Sequence, residues 1–405
     1  MSFQQVEEIL DQDRPEPLLA RHAPDHLADI GSRGRVVVGI SVAFGTQIGC
    51  AIALAQEAKQ MNPEALVVIG GGVVRRFTHN LFRIPRIFDV VDGFVETIGE
   101  PVLSRLTACL DANVEWRDTP GLIVCDDNGQ VIFNPPEPFS IEENHLPAYD
   151  LLSTKHYQYP HSLCLRTSIG CYWNRCCFCT QALSVYQERS VEAVVRDMCE
   201  LEKNCRAKYV RFTDEAVPMK RLSAIATGMI AGGASITWAS DTRFDTELSD
   251  DQCRHLRESG CVALSFGLES AVQRVNDLMN KGVDVAQAMR STEVCLRHGI
   301  ACHVNAIIAF PGETEAEMWS TVQALREMRA RGISVSLSIF TLNFGSHIFC
   351  HPEEYGISSI EDGKDFLFKD CFDYECIGQV SYEKALAAFT SFELGATPSP
   401  LDAGE

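Results

Sequence analysis

Four cysteines fall within nine residues of the stretch RTSIGCYWNRCCFCT, at Cys171, Cys176, Cys177 and Cys179. Thiolates this closely spaced on a loop are suited to an iron–sulfur cluster. Zinc is the competing metal, because it also takes thiolates and is usually held by four ligands in two spaced pairs. Cys176-x-x-Cys179 supplies one pair, and the distant Cys371 and Cys376 are the only candidates for a second. Which of the four loop thiols would serve as ligands is left open by the residues alone. Three thiolates on a four-iron cluster leave one iron open to a substrate or cosubstrate, as a catalytic metal site requires.

The rest of the chain must position that loop. It has 405 residues, 46% hydrophobic and 22% charged, with a formal net charge of −20. This is a folded composition, long enough for two or three domains. The negative charge argues against a nucleic-acid surface, and the modest cluster Arg75, Arg76, Arg83 and Arg86 reads as a solvated face. No window reaches the roughly 18–20 apolar residues of a membrane span. The start, MSFQQVEEILDQDRPEP, has no apolar targeting core. A cytoplasmic protein is expected, so the 17 cysteines are not a disulfide framework. Those scattered singly (Cys50, Cys109, Cys125, Cys199, Cys253, Cys261, Cys295, Cys302) read as small buried hydrophobes.

Two α/β regions follow from the pattern. In residues 1–118 the apolar runs RVVVGISVAF and EALVVIGGG flank a helical segment, and FDVVDGFVETIGEPVLSRLTACL adds a short strand and a helix. This predicts a small Rossmann-like parallel sheet. Ligands in such sheets lie at the C-terminal strand ends, here at Gly71, Gly72, Gly99 and Glu100, where glycine turns admit a phosphate or ribose. Residues 119–159 predict a connector, with a hairpin around the Asp-Asn-Gly turn. Residues 160–356 then repeat strand and helix until six strands are counted. The fold class is therefore α/β, an incomplete (β/α)6 TIM-like barrel preceded by the Rossmann-like domain, with a doubly wound sheet as the alternative. Residues 357–405 read as an acidic, less regular tail.

A cysteine loop after the first strand of a six-strand α/β region resembles the radical S-adenosylmethionine superfamily. The resemblance implies a 4Fe–4S cluster on Cys171, Cys176 and Cys179, although the spacing of four residues then two departs from the superfamily's commonest three then two; Cys177 is the alternative to Cys176, which is preferred because it keeps the two-residue gap before Cys179. Phe178 takes the place of the aromatic residue packed near adenine. FTDEA ends the second strand, and Asp214 and Glu215 are implied acceptors for the methionyl ammonium. In SFGLES, Ser265 and Glu269 resemble the residues that hold the ribose and carboxylate, with LMNKG (residues 278–282) as the usual sequel. IIAFPGET resembles the fifth-strand motif near adenine, placing Ile308 there, with Ala309 where the family generally has glycine. Arg243, after WASDT, is an implied carboxylate partner. Taken singly, acidic residues at strand ends are also common helix N-caps.

The first region resembles the cobalamin-binding domain found before many of these enzymes, in a shortened form. His22 and His26 precede its first strand, but neither lies in the expected Asp-x-His-x-x-Gly pattern, so a histidine ligand to cobalt is not implied. The resemblance implies reductive cleavage of S-adenosylmethionine to a 5′-deoxyadenosyl radical. With cobalamin, this leads to methylation of an unactivated carbon in a small-molecule or peptide substrate. An electron donor such as flavodoxin or ferredoxin is the implied partner. A radical rearrangement, cyclisation or group transfer without cobalamin, and a non-catalytic zinc or iron–sulfur protein, are the alternatives.

Overall fold

The computed structural model describes residues 2–11, 30–31, 34–152, 157–183, 185–363, 365–366 and 369–395. His22 and His26 lie outside the described residues. The chain divides into two compact units, Met1–Pro138 with Glu361–Phe372, and Phe139–Ile360 with Asp373–Glu405.

The first unit opens with helix α1 (Phe3–Leu10), capped by Ser2 in a reciprocal capping box with Gln5. Its sheet runs β1 (Val37–Ser41), β2 (Leu66–Gly70), β3 (Gly93–Val95), β4 (Leu122–Cys125), β5 (Val131–Phe133) in spatial order. The first three strands are parallel, joined by helices α2 (Ile48–Met61) and α3 (Gly72–Phe77). Helix α4 (Gly99–Ala112) follows β3. The hairpin placed in a connector from sequence instead extends this sheet, because β4 pairs antiparallel with β3 and β5 with β4. Its turn is tied by the Asp126 carboxylate, which accepts from the amides of Asn128 and Gln130. Leu66, Val68, Val95, Val102, Leu106, Leu122 and Val124 form the core between sheet and helix. Within the arginine cluster, Arg86 pairs with Glu7 and Asp11, and Arg76 with Asp370.

The second unit is built on six parallel strands that follow one another in space as in sequence. They are β6 (Ser162–Leu165), β9 (Tyr209–Phe212), β10 (Thr237–Thr242), β11 (Cys261–Glu269), β12 (Ala301–Ile308) and β13 (Ser334–Ile339). A two-strand ribbon, β7 (Ser168–Ile169) with β8 (Gln187–Glu188), brackets the cysteine loop. The order has no reversal, and β6 and β13 do not pair. It is thus an unclosed barrel rather than a doubly wound sheet, whose strand order reverses.

Helices α5 (Val191–Asn204), α6 (Met219–Ala231), α7 (Asp250–Glu258), α8 (Gln273–Leu278), α9 (Val285–Arg297) and α10 (Glu315–Ala330) fill the connections. Their starts are written in the sequence: Ser190, Ser249, Asp284 and Thr314 each accept a backbone amide of the first turn. Along β12, Cys302, Val304, Ala306 and Ile308 are buried, while His303, Asn305 and Ile307 on the other face stay partly accessible. Trp238, Phe212 and Phe266 anchor the core.

Two expectations change. The tail contains a helix, Tyr382–Glu393, capped by Ser381 and buried through Ala385, Ala388 and Phe392. Those small residues gave little apolar signal. Cys50 is exposed and Cys125 and Cys199 are half-buried, whereas Cys109, Cys253, Cys261, Cys295 and Cys302 are buried as small hydrophobes.

The turn after β12 holds a buried carboxyl. Glu313 is fully buried, accepts from the Phe310 amide at 3.2 Å, and leaves its second oxygen without a partner. Burial raises its pKa from 4.5 to about 7. The folded state therefore retains a proton that the unfolded chain loses from pH 4.5 upward. The resulting stabilisation is complete below pH 4.5 and is lost as pH rises through 7. Glu313→Gln, which keeps the acceptor, is expected to abolish this pH dependence, a change of up to about 3 kcal/mol. Denaturant unfolding at pH 5 and pH 8 measures it.

Candidate active site

The cysteine loop leaves β6 and is seated on the segment that follows α8. Four consecutive carbonyls of that segment accept hydrogen bonds. Leu278 accepts from the Cys177 thiol at 3.5 Å, Met279 from the Cys177 amide at 3.0 Å, Asn280 from the Trp173 indole at 2.9 Å, and Lys281 from the Arg243 guanidinium. The first two are free because they end α8, where the last carbonyls have no partner within the helix; the next two lie in the turn beyond it. Asn280 has φ +51° and Gly282 φ +65°, in the left-handed region. Gly282 also lies under Trp173, where a Cβ would come within 2.1 Å of the indole ring. The aromatic residue and the glycine are therefore two halves of one contact.

The four thiols separate into two environments. Cys177 is buried, bonded to Leu278 and close to the Tyr355 hydroxyl. Its carbonyl accepts from the Ile348 amide at 3.0 Å. Cys176 faces Arg243, whose Nη1 lies 3.8 Å from the sulfur, and is under the charges of Lys281 and Glu269. Cys179 is influenced by Cys176 and Cys171, and its amide closes a turn onto the Cys176 carbonyl at 3.2 Å. Burial pushes the Cys179 thiol up to about 11 and raises that of Cys176. Their deprotonation thus needs a compensating positive charge, which a bound metal provides. A 4Fe–4S cluster takes each thiolate on a different iron. Three thiols of one loop beside two cations fit that group.

Next to the thiols is an open cavity of about 240 Å³, lined by Phe178, Glu269, Asn305, Ile307, Ser338 and Phe340 among others. Glu269 reaches it through a bulge: the register of β11 against β12 shifts between Gly267 and Glu269, and Glu269 has φ +65°. Its carboxylate accepts from Lys281 Nζ at 2.6 Å, both side chains being nine-tenths buried. A Cβ on Gly267 would lie 2.3 Å from Glu269 Oε1 and 2.6 Å from Lys281 Nζ, so this glycine makes room for the ion pair.

The structure brings some sequence candidates together and separates others. Phe178 and Glu269 share the cavity, and Ser265 joins it by accepting from Asn305 at 3.5 Å. Cys176 and Arg243 touch. Ile308 lies in the core on the opposite face of β12, and its neighbour Ile307 lines the cavity instead. Ala309, with φ +61°, takes the left-handed backbone that glycine favours. Asp214 is buried and already satisfied by the Thr167 amide at 3.1 Å and the Thr167 and Ser168 hydroxyls at 2.9 and 2.6 Å. It fastens the start of the loop to β9. Glu215 is exposed, with no hydrogen bond among the described residues and Arg166 as the cation acting on it. In the first unit, Gly71 (φ +107°) packs on the Val42 backbone, Gly72 begins α3, and Gly99 and Glu100 begin α4, all at C-terminal strand ends.

Sequence reasoning missed Lys281, Asn305 and Trp173. Lys281 and Trp173 lay in stretches already singled out, LMNKG and RTSIGCYWNRCCFCT, and that proximity was the available signal. Asn305 lies on the inner face of β12, two residues before Ile307.

Residues 165–341 match the family profile of the Radical SAM superfamily. Over 302 residues the chain is 28% identical to an uncharacterized methyltransferase of Pyrococcus horikoshii, covering 72% of this chain and 64% of that protein. It is 25% identical over 289 residues to the anaerobic magnesium-protoporphyrin IX monomethyl ester cyclase of Rubrivivax gelatinosus, covering 67% and 51%. The chain thus spans less than two thirds of the length of these curated relatives. Its fold is shared with the cobalamin-dependent S-adenosylmethionine radical enzyme OxsB, solved with aqua-cobalamin and S-adenosylmethionine (TM-score 0.73, 16% identity, 95% of this chain and 63% of that one). It is shared also with the radical S-adenosylmethionine methyltransferase TsrM of Kitasatospora setae, solved with cobalamin and a [4Fe-4S] cluster (TM-score 0.70, 15% identity, 95% and 83%).

Gly282→Ala tests the seat of the loop. It places a methyl group in the Trp173 ring and strains a positive φ, at a cost of about 1–3 kcal/mol. The variant is expected to stay folded by far-ultraviolet circular dichroism, to melt at a lower temperature, and to show a red-shifted tryptophan emission as Trp173 is released.

Proposed function

We propose that the chain, whose residues 165–341 match the Radical SAM superfamily profile, is a radical S-adenosylmethionine enzyme that methylates an unactivated carbon of a small molecule or peptide with the help of cobalamin. The observation that carries this reading is the hydrogen bonding of the loop thiols: Cys177 donates to the Leu278 carbonyl and lies by Tyr355, while Cys176 faces Arg243 and Cys179 lies near both Cys176 and Cys171. Cys171, Cys176 and Cys179 are accordingly the ligands of a 4Fe–4S cluster. When bound, the cluster leaves one iron open to S-adenosylmethionine and supplies the single electron that cleaves its sulfonium.

The chain's own residues bind, orient and shield. Phe178 offers an aromatic face to the adenine. Glu269, held in place by Lys281, and Ser265, reached through Asn305, offer acceptors to the ribose and methionyl groups. Glu215 is the strand-end carboxylate left for the ammonium, since Asp214 is consumed by Thr167 and Ser168. Ile307, Ile339 and Phe340 make an apolar wall that keeps water from the reacting atoms. In the first unit, Gly71, Gly72, Gly99 and Glu100 present backbone at the sheet edge to the corrin. The methyltransferase name of the Pyrococcus relative and the cobalamin in OxsB and TsrM support this assignment. The site needs an electron from a small carrier such as flavodoxin or ferredoxin, and a reducing cytoplasm suits its thiols. Among the described residues no helix is long and apolar enough to cross a membrane.

Anaerobic reconstitution with iron and sulfide is the test. Wild-type protein and Cys177→Ala are expected to hold about four irons per chain, and Cys176→Ala to hold few or none. The reconstituted wild type should release 5′-deoxyadenosine from S-adenosylmethionine under dithionite and retain added hydroxocobalamin through gel filtration. Iron retention by Cys176→Ala and loss by Cys177→Ala would reverse the ligand assignment. Activity without corrin retention would favour a cobalamin-independent radical rearrangement or cyclisation.

A further inference from the structure

We propose that Arg243 is a positioning residue for the cluster, one that holds the Cys176 sulfur in place and raises the cluster's reduction potential. The inference rests on the cluster assignment above. Arg243 is 4% exposed, and each edge of its guanidinium is already directed. Nη2 donates to the Lys281 carbonyl, Nε lies 3.2 Å from Asp245, and Nη1 points at Cys176 Sγ from 3.8 Å. Its Cζ lies 4.6 Å from the centroid of the Trp173 ring. Asp245 is fixed in turn by the Tyr172 hydroxyl. A group held on three edges and one face keeps its orientation without a ligand. The sequence anticipated Arg243 as a partner for the carboxylate of S-adenosylmethionine; the contacts present direct its Nη1 to a thiol.

The physical consequence follows from charge. A one-electron reduction adds negative charge to the cluster, and part of it resides on the coordinating sulfurs. A fixed cation donating a hydrogen bond to one of those sulfurs stabilises the reduced form more than the oxidised form, which makes the potential less negative. Lys281 also acts on Cys176, but its ammonium is neutralised at 2.6 Å by Glu269. Asp245 faces the Nε edge of Arg243, is partly exposed, and leaves Nη1 turned to the sulfur. Arg243 is therefore the cation whose hydrogen bond reaches the metal ligand directly.

The test is a potentiometric titration of the full chain, reconstituted anaerobically with iron and sulfide, using dithionite and following the reduced cluster by electron paramagnetic resonance. No S-adenosylmethionine is added, so the readout is independent of turnover. Arg243→Gln should keep about four irons per chain, with a midpoint more negative than wild type. The expected shift is at least about tenfold in the reduced-to-oxidised ratio at fixed potential, which is 59 mV for one electron. Arg243→Lys, which keeps the charge and loses the planar fork, should shift in the same direction by less. Should Arg243→Gln fail to take up iron while remaining folded, the positioning role is supported and Arg243→Lys decides the potential. An unchanged midpoint in a fully loaded Arg243→Gln or, failing that, in Arg243→Lys overturns the proposal. A wild type that takes up no cluster overturns the cofactor assignment and this inference with it.

Discussion

The site depends on the seating of one loop on the C-terminal end of α8 and the turn that follows it. Residues 278–281 expose four carbonyls in a row, and the loop and Arg243 answer all four. Met279 and Lys281 are buried, and a buried backbone acceptor left without a partner costs free energy comparable to a lost hydrogen bond. The segment is thus unfavourable without the loop, and the loop, rich in polar backbone and with half-buried thiols, is unfavourable without the segment. Mutual satisfaction explains why a stretch with little regular structure of its own holds one conformation. It also explains why Cys177 is turned away: its amide and thiol both belong to the seat, which leaves Cys176 on the other side of the turn.

Charge follows from the same geometry. The segment ends in Lys281, whose carbonyl holds Arg243 and whose ammonium holds Glu269. One residue therefore ties the cation beside Cys176 to the carboxylate that lines the cavity. A buried ion pair contributes little net stability, and losing either partner is costly because a buried charge remains. Its more useful property is orientation. Glu269 sits on a bulge at positive φ, and without Lys281 nothing would fix where its oxygens point. The space for the pair exists because position 267 has no side chain.

Much of this arrangement was legible in the sequence, and the residues that were not share a cause. Strands and helices announced themselves through β-branched runs, 3.6-residue periodicity and caps such as Ser249 and Thr314. The unclosed parallel sheet followed from their alternation. The loop cysteines and Phe178 stood out because they are close in sequence. Lys281, Asn305 and the true commitments of Asp214 and Arg243 were not, because each is defined by partners on another strand: Thr167 for Asp214, Cys176 and Asp245 for Arg243. Ile308 was misplaced by a single residue, which on a strand reverses the face. The helix Tyr382–Glu393 escaped because its buried face is made of two alanines and a phenylalanine.

The inner face of the barrel carries a consistent chemistry. The register aligns Asp241, Ser265, His303 and Ser334 across four neighbouring strands, and Asn305 with Ser336 in the next row. Hydrogen bonds run along them: Arg211 to Asp241 at 2.7 Å, His303 to Ser334 at 2.9 Å, His303 to Asn305 at 3.1 Å, and Asn305 to Ser265. A closed barrel fills its interior with stacked branched side chains. Here those positions hold serine, asparagine, histidine and an ion pair, while the apolar residues Val210, Leu264 and Val304 face the helices. Small polar side chains leave volume, and volume lined with donors and acceptors takes up water or a polar ligand rather than collapsing. The open edge between β6 and β13 and this polar interior are therefore two expressions of one design: the sheet is stabilised from its outer face by the helices, which leaves the inner face available for chemistry next to the cysteine loop.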